Sequence, residues 1–207
     1  MAKTVWNGGA LLAPVPAVMV TVRDGDRDNI ITVAWTGILS TVPPKTYISV
    51  RPSRHSYEML KNSREFAINL TPSSLVKTAD YCGMYTGKKV DKFEKCSLTR
   101  EEASKISCPL IAECPISLEC RVTDIVPMGS HDMFIADVVA VDVEEGLIGE
   151  NGRLHISRAK LSAFAHGEYF ELGRRIGKFG FSAKSGSAKR GGAKGGKGKG
   201  NTFSRGK

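Results

Sequence analysis

Two segments of alternating residues, separated by prolines within positions 29–57, constrain the fold of this chain more than any other stretch. Apolar or aromatic residues alternate with polar ones over Ile30–Thr36 and again over Lys45–Arg51, a pattern typical of half-buried strands. Proline cannot donate a hydrogen bond to a sheet ladder, so Pro43 and Pro44 are expected to separate the two strands. The stretch therefore predicts β structure.

A helix start crowded with arginines and hydroxyls follows the second strand. Pro52 ends that strand, and Ser53 is in position to cap a helix. Arg54 and Ser56 fall in the first turn of this helix, and Arg51 closes the preceding strand. Backbone N–H groups, the positive end of the helix dipole and two guanidinium groups would converge here, which predicts a site for a phosphate monoester. The alternative is that the arginines form ordinary surface ion pairs.

Three residues at the end of the first strand supply groups suited to a flat ligand. Trp35 offers an aromatic face, Thr36 a hydroxyl, and Gly37 allows a backbone to approach a ring closely. A phosphate site at one end and a planar ring at the other describe flavin mononucleotide, FMN. The alternative for Trp35 is a core aromatic residue, with backbone atoms contacting the ring.

The remaining sequence predicts further strands, with helices inserted between them. The strands are expected at Ala17–Arg23, Glu65–Leu70, Ile116–Val126 and Met133–Val143, with short edge strands at 147–148 and 154–156, and the helices at 53–62, 71–81 and 90–96. Hairpin-like connections do not produce a doubly wound α/β pattern and instead favour a β-barrel with helical decorations. The strand count does not distinguish a barrel from a sandwich.

Several spaced motifs run through the chain. They are N-I-x-T-V-A-W-T-G and I-S-V-R-x-x-R-x-S-Y within residues 29–57, F-x-I-N-L at 66–70, V-D-K-F at 90–93 and G-S-H-D-M-F-I at 129–135. Together they resemble the flavin reductase-like family, the FMN-binding split barrels that include flavoredoxins. The resemblance covers roughly residues 10–181. It implies a mainly β fold with inserted helices, a split β-barrel, and a homodimer with the flavin at its interface.

The resemblance also implies which residues bind the cofactor. The expected FMN contacts are Ala34, Trp35, Thr36, Gly37, Ser49, Arg51, Arg54, Ser56, Tyr57, Asn69 and Lys92. A solvated helix lysine is the alternative for Lys92. His131 resembles a family histidine near the nicotinamide and is predicted to bind substrate, although Ser130 stands where the family has an aspartate. No catalytic side chain and no metal are expected, because the flavin supplies the redox chemistry.

The main hypothesis is an FMN-dependent oxidoreductase, either an NAD(P)H:flavin oxidoreductase or a flavoredoxin-like electron carrier. Hydride would pass from NADH or NADPH to the flavin, and electrons would leave to an unidentified acceptor. The sequence lacks G-x-G-x-x-G, P-loop and G-x-S-x-G motifs, which argues against a Rossmann domain and common hydrolases. A third possibility keeps the fold but handles pyridoxal phosphate or heme.

The net charge of +9 comes almost entirely from the end of the chain. Residues 182–207 contain eight of the 30 basic residues and no acid, leaving 22 basic against 21 acidic residues in 1–181. We therefore predict one domain over 1–181 and a disordered Gly/Lys-rich tail over 182–207. The tail is either dispensable or binds polyanions weakly, and an alternative function is nucleic-acid binding through it.

Five cysteines fall between positions 82 and 120: Cys82, Cys96, Cys108, Cys114 and Cys120. Their number is odd and no CxxC pair occurs, so reduced and mostly buried thiols are expected, with a thiol near the ligand pocket at Cys82 as the alternative. The sequence has no apolar run of about 18 residues, which predicts no membrane span. The N-terminus lacks a signal layout, so we expect a cytoplasmic protein.

Overall fold

A seven-stranded antiparallel sheet carries the fold of the residues described by the structure, a computed structural model covering 1–186. The strands are β1 (Val18–Asp24), β2 (Arg27–Val33), β3 (Thr36–Thr41), β4 (Pro44–Val50), β5 (Glu65–Leu70), β6 (Arg100–Glu101), β7 (Leu110–Ile111), β8 (Ile116–Pro127), β9 (Asp132–Val143), β10 (Ser162–Ala165) and β11 (Glu168–Glu171). The order in the large sheet is β2-β1-β5-β8-β9-β4-β3, while β6–β7 and β10–β11 form two small hairpins. The mainly β architecture is thus confirmed.

Helices fill the connections between strands. They are α1 (His55–Ser63), α2 (Val76–Met84) and α3 (Lys92–Lys95), with 3-10 turns at Ser73–Leu75, Glu145–Leu147, Ile156–Ala159 and Phe181–Gly186. The longest helices within residues 1–186 have nine residues, so none of them is long enough to cross a bilayer, which takes about 20. The predicted tail lies outside the described residues from position 187 onward, and its disorder and polyanion binding stay predictions.

The main core lies between one face of the large sheet and α1. Side chains two apart on a strand share a face, so Val18 and Val20 of β1 point to this core, where they pack with Leu60 of α1 and Phe66 of β5. The intervening Met19 points to the opposite face and packs in a second core. The β1 strand is therefore buried on both sides.

The second core lies under α2 and α3. It joins Met19 and Ile30 from β1 and β2 to Cys82 of α2 and Phe93 of α3. The β1–β2 hairpin consequently sits between α1 on one face and α2 with α3 on the other. This arrangement brings the start of α1 close to the end of α2.

The proline pair plays a different role from the one predicted. Thr41 pairs with Pro44, so Pro43 and Pro44 belong to the turn of a hairpin between β3 and β4. Pro44 is the first residue of β4, a position where a missing N–H is tolerated. The strand expected over Ile30–Thr36 accordingly ends at Val33, and a new strand, which the sequence did not predict, begins at Thr36.

Three further predictions of secondary structure were wrong in detail. The helix was expected to begin at position 71, but α2 begins at Val76. The 3-10 turn Ser73–Leu75 precedes it, because Pro72 is extended and bridges to Leu161. Residues 147–148 and 154–156 form only the isolated bridge between Ile148 and Leu154. The β10–β11 hairpin was not predicted.

Glu119 on β8 fastens the loop between β6 and β7 to the sheet. This fully buried carboxylate accepts hydrogen bonds from the backbone N–H groups of Ser104 (2.8 Å), Lys105 (2.6 Å) and Ile106 (3.0 Å), and from the Ser104 hydroxyl (2.7 Å). Charge-assisted bonds to backbone N–H groups are among the stronger hydrogen bonds in proteins. Glu119 thus holds residues 104–106 of the loop, while Glu65 accepts hydrogen bonds from Ser107 in the same loop.

Replacing Glu119→Ala should leave three backbone donors without their acceptor. We expect the free energy of unfolding to fall by roughly 1–3 kcal/mol, because the buried Ile106 N–H would lose its acceptor and an unsatisfied buried group costs about that much. Urea unfolding monitored by tryptophan fluorescence measures this. The control is Glu102→Ala, at an exposed position, which should change stability by about 0.5 kcal/mol at most. Equal losses in both variants would contradict the anchoring role.

Candidate functional site

The junction between β4 and α1 is an uncapped helix start flanked by arginines. Arg51 and Arg54 are both exposed, and the Arg54 N–H donates to the Arg51 carbonyl at 3.0 Å. Arg54 occupies the N-cap position in an extended conformation, and no side chain caps the helix. The prediction that Ser53 caps α1 was therefore wrong. The Tyr57 N–H donates to the Arg54 carbonyl at 3.0 Å, so the N–H groups that precede it in the first turn are those suited to an anion.

Positive charge accumulates around this helix start. Burial, followed by the charges of Lys88, Arg27 and Lys92, lowers the pKa of His55. Burial, followed by the charges of Arg51 and Arg54, lowers the pKa of His131. Each histidine thus lies near cations, although the cations that act on His55 differ from the two that act on His131.

The end of α2 positions two of these cations. The Arg54 guanidinium donates to the Gly83 carbonyl at 3.2 Å. The Lys92 ammonium donates to the carbonyls of Cys82 at 2.7 Å and Ile30 at 2.6 Å. Lys92 is only 3% exposed, and burial lowers its pKa to about 8. The alternative prediction, a solvated helix lysine, is therefore wrong.

Ser56 is fixed at the first turn of α1 by a contact from β2. The Asn29 amide donates to the Ser56 hydroxyl at 2.8 Å, and both side chains are buried. Gly87 packs directly on Asn29, since a Cβ at Gly87 would lie 2.1 Å from the Asn29 Oδ1 atom. The prediction omitted Asn29 from the site, although it opens the first of the spaced motifs.

The residues predicted to contact the flat ring of the ligand lie on or next to β4. Ser49 donates its N–H to the Trp35 carbonyl at 2.8 Å, and Arg51 follows two residues later, directly after the end of β4. Two residues along a strand span about 7 Å. Trp35 is 39% exposed, whereas Ala34 and Ser49 are half-buried. The residues predicted to bind the ring and those predicted to bind the phosphate thus lie along one strand.

Thr36 and Gly37 also have structural roles. The Thr36 hydroxyl is buried and donates to the Tyr47 carbonyl. A Cβ at Gly37 would lie 3.1 Å from Cε1 of Tyr47, so glycine makes room for the tyrosine ring across the hairpin. The hydroxyl of Thr36 is therefore engaged by protein, and so is the Gly37 carbonyl, which accepts a hydrogen bond from the Thr46 hydroxyl at 2.9 Å.

Tyr57 is placed in the core, away from the open surface. It packs edge-to-face on Phe134 with ring centroids 5.6 Å apart. Its hydroxyl donates to Asp132, and this bond, together with burial, raises its pKa to about 12. The predicted contact of the Tyr57 side chain with the cofactor is thus replaced by a structural one.

Asn69 is likewise committed to structure. Its amide nitrogen donates to the Met19 carbonyl (2.9 Å) and the Thr21 hydroxyl (3.3 Å), and its oxygen accepts from the Ile111 N–H (3.0 Å) and the Ser117 hydroxyl (2.8 Å). These four bonds exhaust the capacity of an asparagine amide. The residue is fully buried, so the prediction that Asn69 contacts the cofactor does not agree with this geometry.

Two cavities lie elsewhere on the surface. One, of about 320 Å³, is formed by the N-terminal segment together with Trp35, Phe164 and His166. The other, of about 600 Å³, is lined by Ser73, Lys160 and neighbouring residues. Arg51 and Arg54 line neither of these two cavities, and both residues are exposed, so the predicted phosphate site lies on the open surface.

Binding of an anion at the start of α1 should raise the pKa values of His55 and His131. The nearby cations disfavour the imidazolium form, and an anion that neutralises them favours it. NMR titration of the imidazole protons, with and without inorganic phosphate, measures the change, with His155 and His166 as internal controls. If both pKa values stay where they are in saturating phosphate, the cations do not form one anion site.

Comparison with known proteins adds independent information. A family model described as flavin reductase like domain matches residues 11–172. The flavoredoxin of Desulfovibrio vulgaris (Miyazaki F) has a TM-score of 0.83 at 27% identity, over 88% of this chain and 100% of the other. An FMN-binding protein from Thermus thermophilus has a TM-score of 0.69 at 26% identity, over 83% and 93%. An NADPH-flavin oxidoreductase of Streptomyces viridifaciens is 28% identical, over 69% and 74%. The split-barrel fold is thereby confirmed.

Proposed function

We propose that this chain, which belongs to the flavin reductase-like domain family, is an FMN-binding oxidoreductase that accepts electrons from NADH or NADPH. The observation that carries the proposal is the convergence of Arg51, Arg54 and the uncapped start of α1. The similar proteins support it, because one is named as FMN-binding and another as an NADPH-flavin oxidoreductase. The electron acceptor, free flavin or a partner protein, stays open.

The basic surface suits the FMN phosphate in charge and in donor geometry. Arg54 is oriented by the Gly83 carbonyl, and Arg51 extends from the end of β4. Guanidinium groups bind phosphate oxygens through paired hydrogen bonds, and the open N–H groups of α1 add further donors. Buried Lys92 strengthens the positive field without reaching the surface.

The ring of FMN would lie toward Trp35, beside Ser49. Backbone groups of residues 34–37 would orient it, because the Thr36 hydroxyl is already engaged. Bound FMN would supply hydride acceptance and electron transfer, so the protein needs no acid or base of its own. The chain contributes binding and orientation.

His131 belongs to the end of this site that would hold the phosphate. It lies in the turn between β8 and β9, where the Ser130 hydroxyl contacts its Nδ1 atom at 2.9 Å and Arg51 and Arg54 act on its charge. A phosphate of FMN or of the nicotinamide donor is therefore the group that His131 would contact. We assign it to substrate or cofactor binding on this basis.

Selective loss of FMN affinity tests the phosphate assignment. Arg51→Ala and Arg54→Ala should each weaken FMN binding about tenfold to a hundredfold, because a charge-assisted hydrogen bond contributes roughly 1.5–3 kcal/mol. The affinity for riboflavin, which has no phosphate, should fall little in either variant. Fluorescence quenching titrations with both ligands measure this, and Arg175→Ala, at an exposed position, is the control. Equal losses for both flavins would refute the assignment.

A homodimer is the second part of the proposal. Edge strand β3 exposes apolar side chains that nothing in residues 1–186 covers, with Ile38 at 82% and Leu39 at 46% exposure, and Val42 at 89% in the following turn. Contiguous exposed apolar residues on an edge strand mark a site of association.

The unpaired cysteines are in addition consistent with the reducing cytoplasm.

Light scattering should therefore report about twice the chain mass of 22.4 kDa. Ile38→Asp should shift the protein toward monomer, because it places a charge in the apolar contact. Leu154→Asp, at another exposed apolar side chain, should leave the mass unchanged. A wild-type monomer that binds FMN at full affinity would exclude a site shared between two copies.

A further inference from the structure

Two stacked tyrosines at the end of α2 leave an exposed apolar surface. The rings of Tyr81 and Tyr85 lie with their centroids 4.2 Å apart and their planes at 23°. Tyr81 covers one face of the Tyr85 ring, yet Tyr85 is 54% exposed and the preceding Met84 is 73% exposed. The second face of the Tyr85 ring is therefore available to another planar ring. Met84 and Tyr85 together form an apolar shelf.

Two contacts hold this shelf beside the start of α1. Before the shelf, the Gly83 carbonyl accepts a hydrogen bond from the Arg54 guanidinium at 3.2 Å. After it, Gly87 packs on Asn29, whose amide donates to the Ser56 hydroxyl in the first turn of α1 at 2.8 Å. Each shelf residue is within two positions of Gly83, and two residues of chain span at most about 7 Å. The shelf thus borders the proposed phosphate site.

Two lysines continue the positive charge of that site past the shelf. Lys88 and Lys89 are exposed, and neither forms an ion pair within residues 1–186. Burial, followed by the charge of Lys88, lowers the pKa of His55 in α1, which agrees with a lysine close to that helix. Residues 81–90 contain no Asp or Glu. An anion here would meet cations without a carboxylate to repel it.

We propose that the apolar shelf and Lys88 bind the adenosine phosphate group of a dinucleotide whose other half lies at the proposed flavin site. Adenine is a flat base that stacks on aromatic side chains, and its phosphate would pair with the lysine. A purely apolar ligand would leave Lys88 unused, and inorganic phosphate would leave the shelf unused. The dinucleotide rests on the proposed function, whereas adenosine phosphate binding rests on the shelf alone.

Two dinucleotides bring this group to a flavin site. One is flavin adenine dinucleotide, FAD, in which the flavin phosphate would lie at Arg51 and Arg54, the second phosphate at Lys88 and the adenine on Tyr85. The other is the nicotinamide donor, NADH or NADPH, which would bind beside FMN. Both present the same adenosine phosphate to the same surface, so the chemistry of recognition is shared.

The stacked pair is suited to this role because Tyr81 already holds the Tyr85 ring in place. A side chain that is ordered before binding loses little conformational entropy when the ligand arrives. Removing an aromatic ring that stacks on a base typically weakens binding by about fivefold to a hundredfold. Tyr85→Phe keeps the ring and removes only the hydroxyl, so it should retain the affinity that Tyr85→Ala loses.

Calorimetric titration of the full chain with adenosine 5′-monophosphate, AMP, tests the shelf directly. We expect AMP to bind both the free protein and the protein saturated with FMN, and Tyr85→Ala to lower its affinity about fivefold or more. Lys88→Ala should weaken binding of AMP but not of adenosine. The control is Lys77→Ala, at an exposed lysine near the other end of α2, which should bind AMP as the wild type does.

Flavin dialysis and kinetics distinguish the two sources of the group. If the source is FAD, the wild type should bind FAD more tightly than FMN, and Tyr85→Ala should remove the difference. If the source is the nicotinamide donor, both flavins should bind equally, and Tyr85→Ala should raise the KM of the FMN-loaded protein for NADH or NADPH about fivefold or more with kcat unchanged. Equal flavin affinities together with an unchanged KM would overturn the proposal.

Three other outcomes are decisive. Loss of AMP binding on saturation with FMN would show that AMP only occupies the flavin phosphate site, and would also overturn the shelf. A change in the light-scattering mass of Tyr85→Ala, with nucleotide binding unchanged, would assign the shelf to an interface between copies instead. Binding of AMP through Tyr85 by a wild-type protein that fails to bind FMN would support the shelf and refute the proposed function.

Discussion

Burial of the β1–β2 hairpin on both faces is the constraint on which the site depends. Val20 points into the core under α1, and its neighbour Met19 points into the core under α2 and α3. Each side chain of this size contributes roughly 1.5–3 kcal/mol when fully buried. Covering both faces of one hairpin brings the start of α1 to the end of α2, where Arg54 reaches the Gly83 carbonyl. The position of the proposed anion site thus follows from the packing of two cores.

The same packing encloses a charge that is costly to bury. Lys92 has two carbonyl partners, which offset part of the desolvation penalty, yet burial still lowers its pKa to about 8. The charge of Arg54 contributes to this lowering of the pKa. A phosphate bound at the proposed site would relieve this repulsion and would stabilise the folded state by mass action.

The sequence predicted the local features of the site well. Alternation located the strands that carry Ser49 and Arg51, and the spacing of residues 51–56 indicated a strand-to-helix junction with cations. It did not predict β3, because a hairpin turn containing Pro43 and Pro44 reads as a break between strands. The sequence also assigned Asn69 to cofactor binding, because a motif gives the residue type but not the partners of its hydrogen bonds.

By itself, the sequence determined six of the seven strands of the large sheet, where arginines stand relative to a helix start, and which family the motifs resemble. These are properties of neighbouring residues, and a period of two, a proline or a helix dipole acts over a few positions. Only the tertiary structure decided that Asn29 fixes Ser56 and that Lys92 is buried. Each of these contacts joins segments that come together only when both faces of one hairpin are covered, and no local pattern encodes that approach.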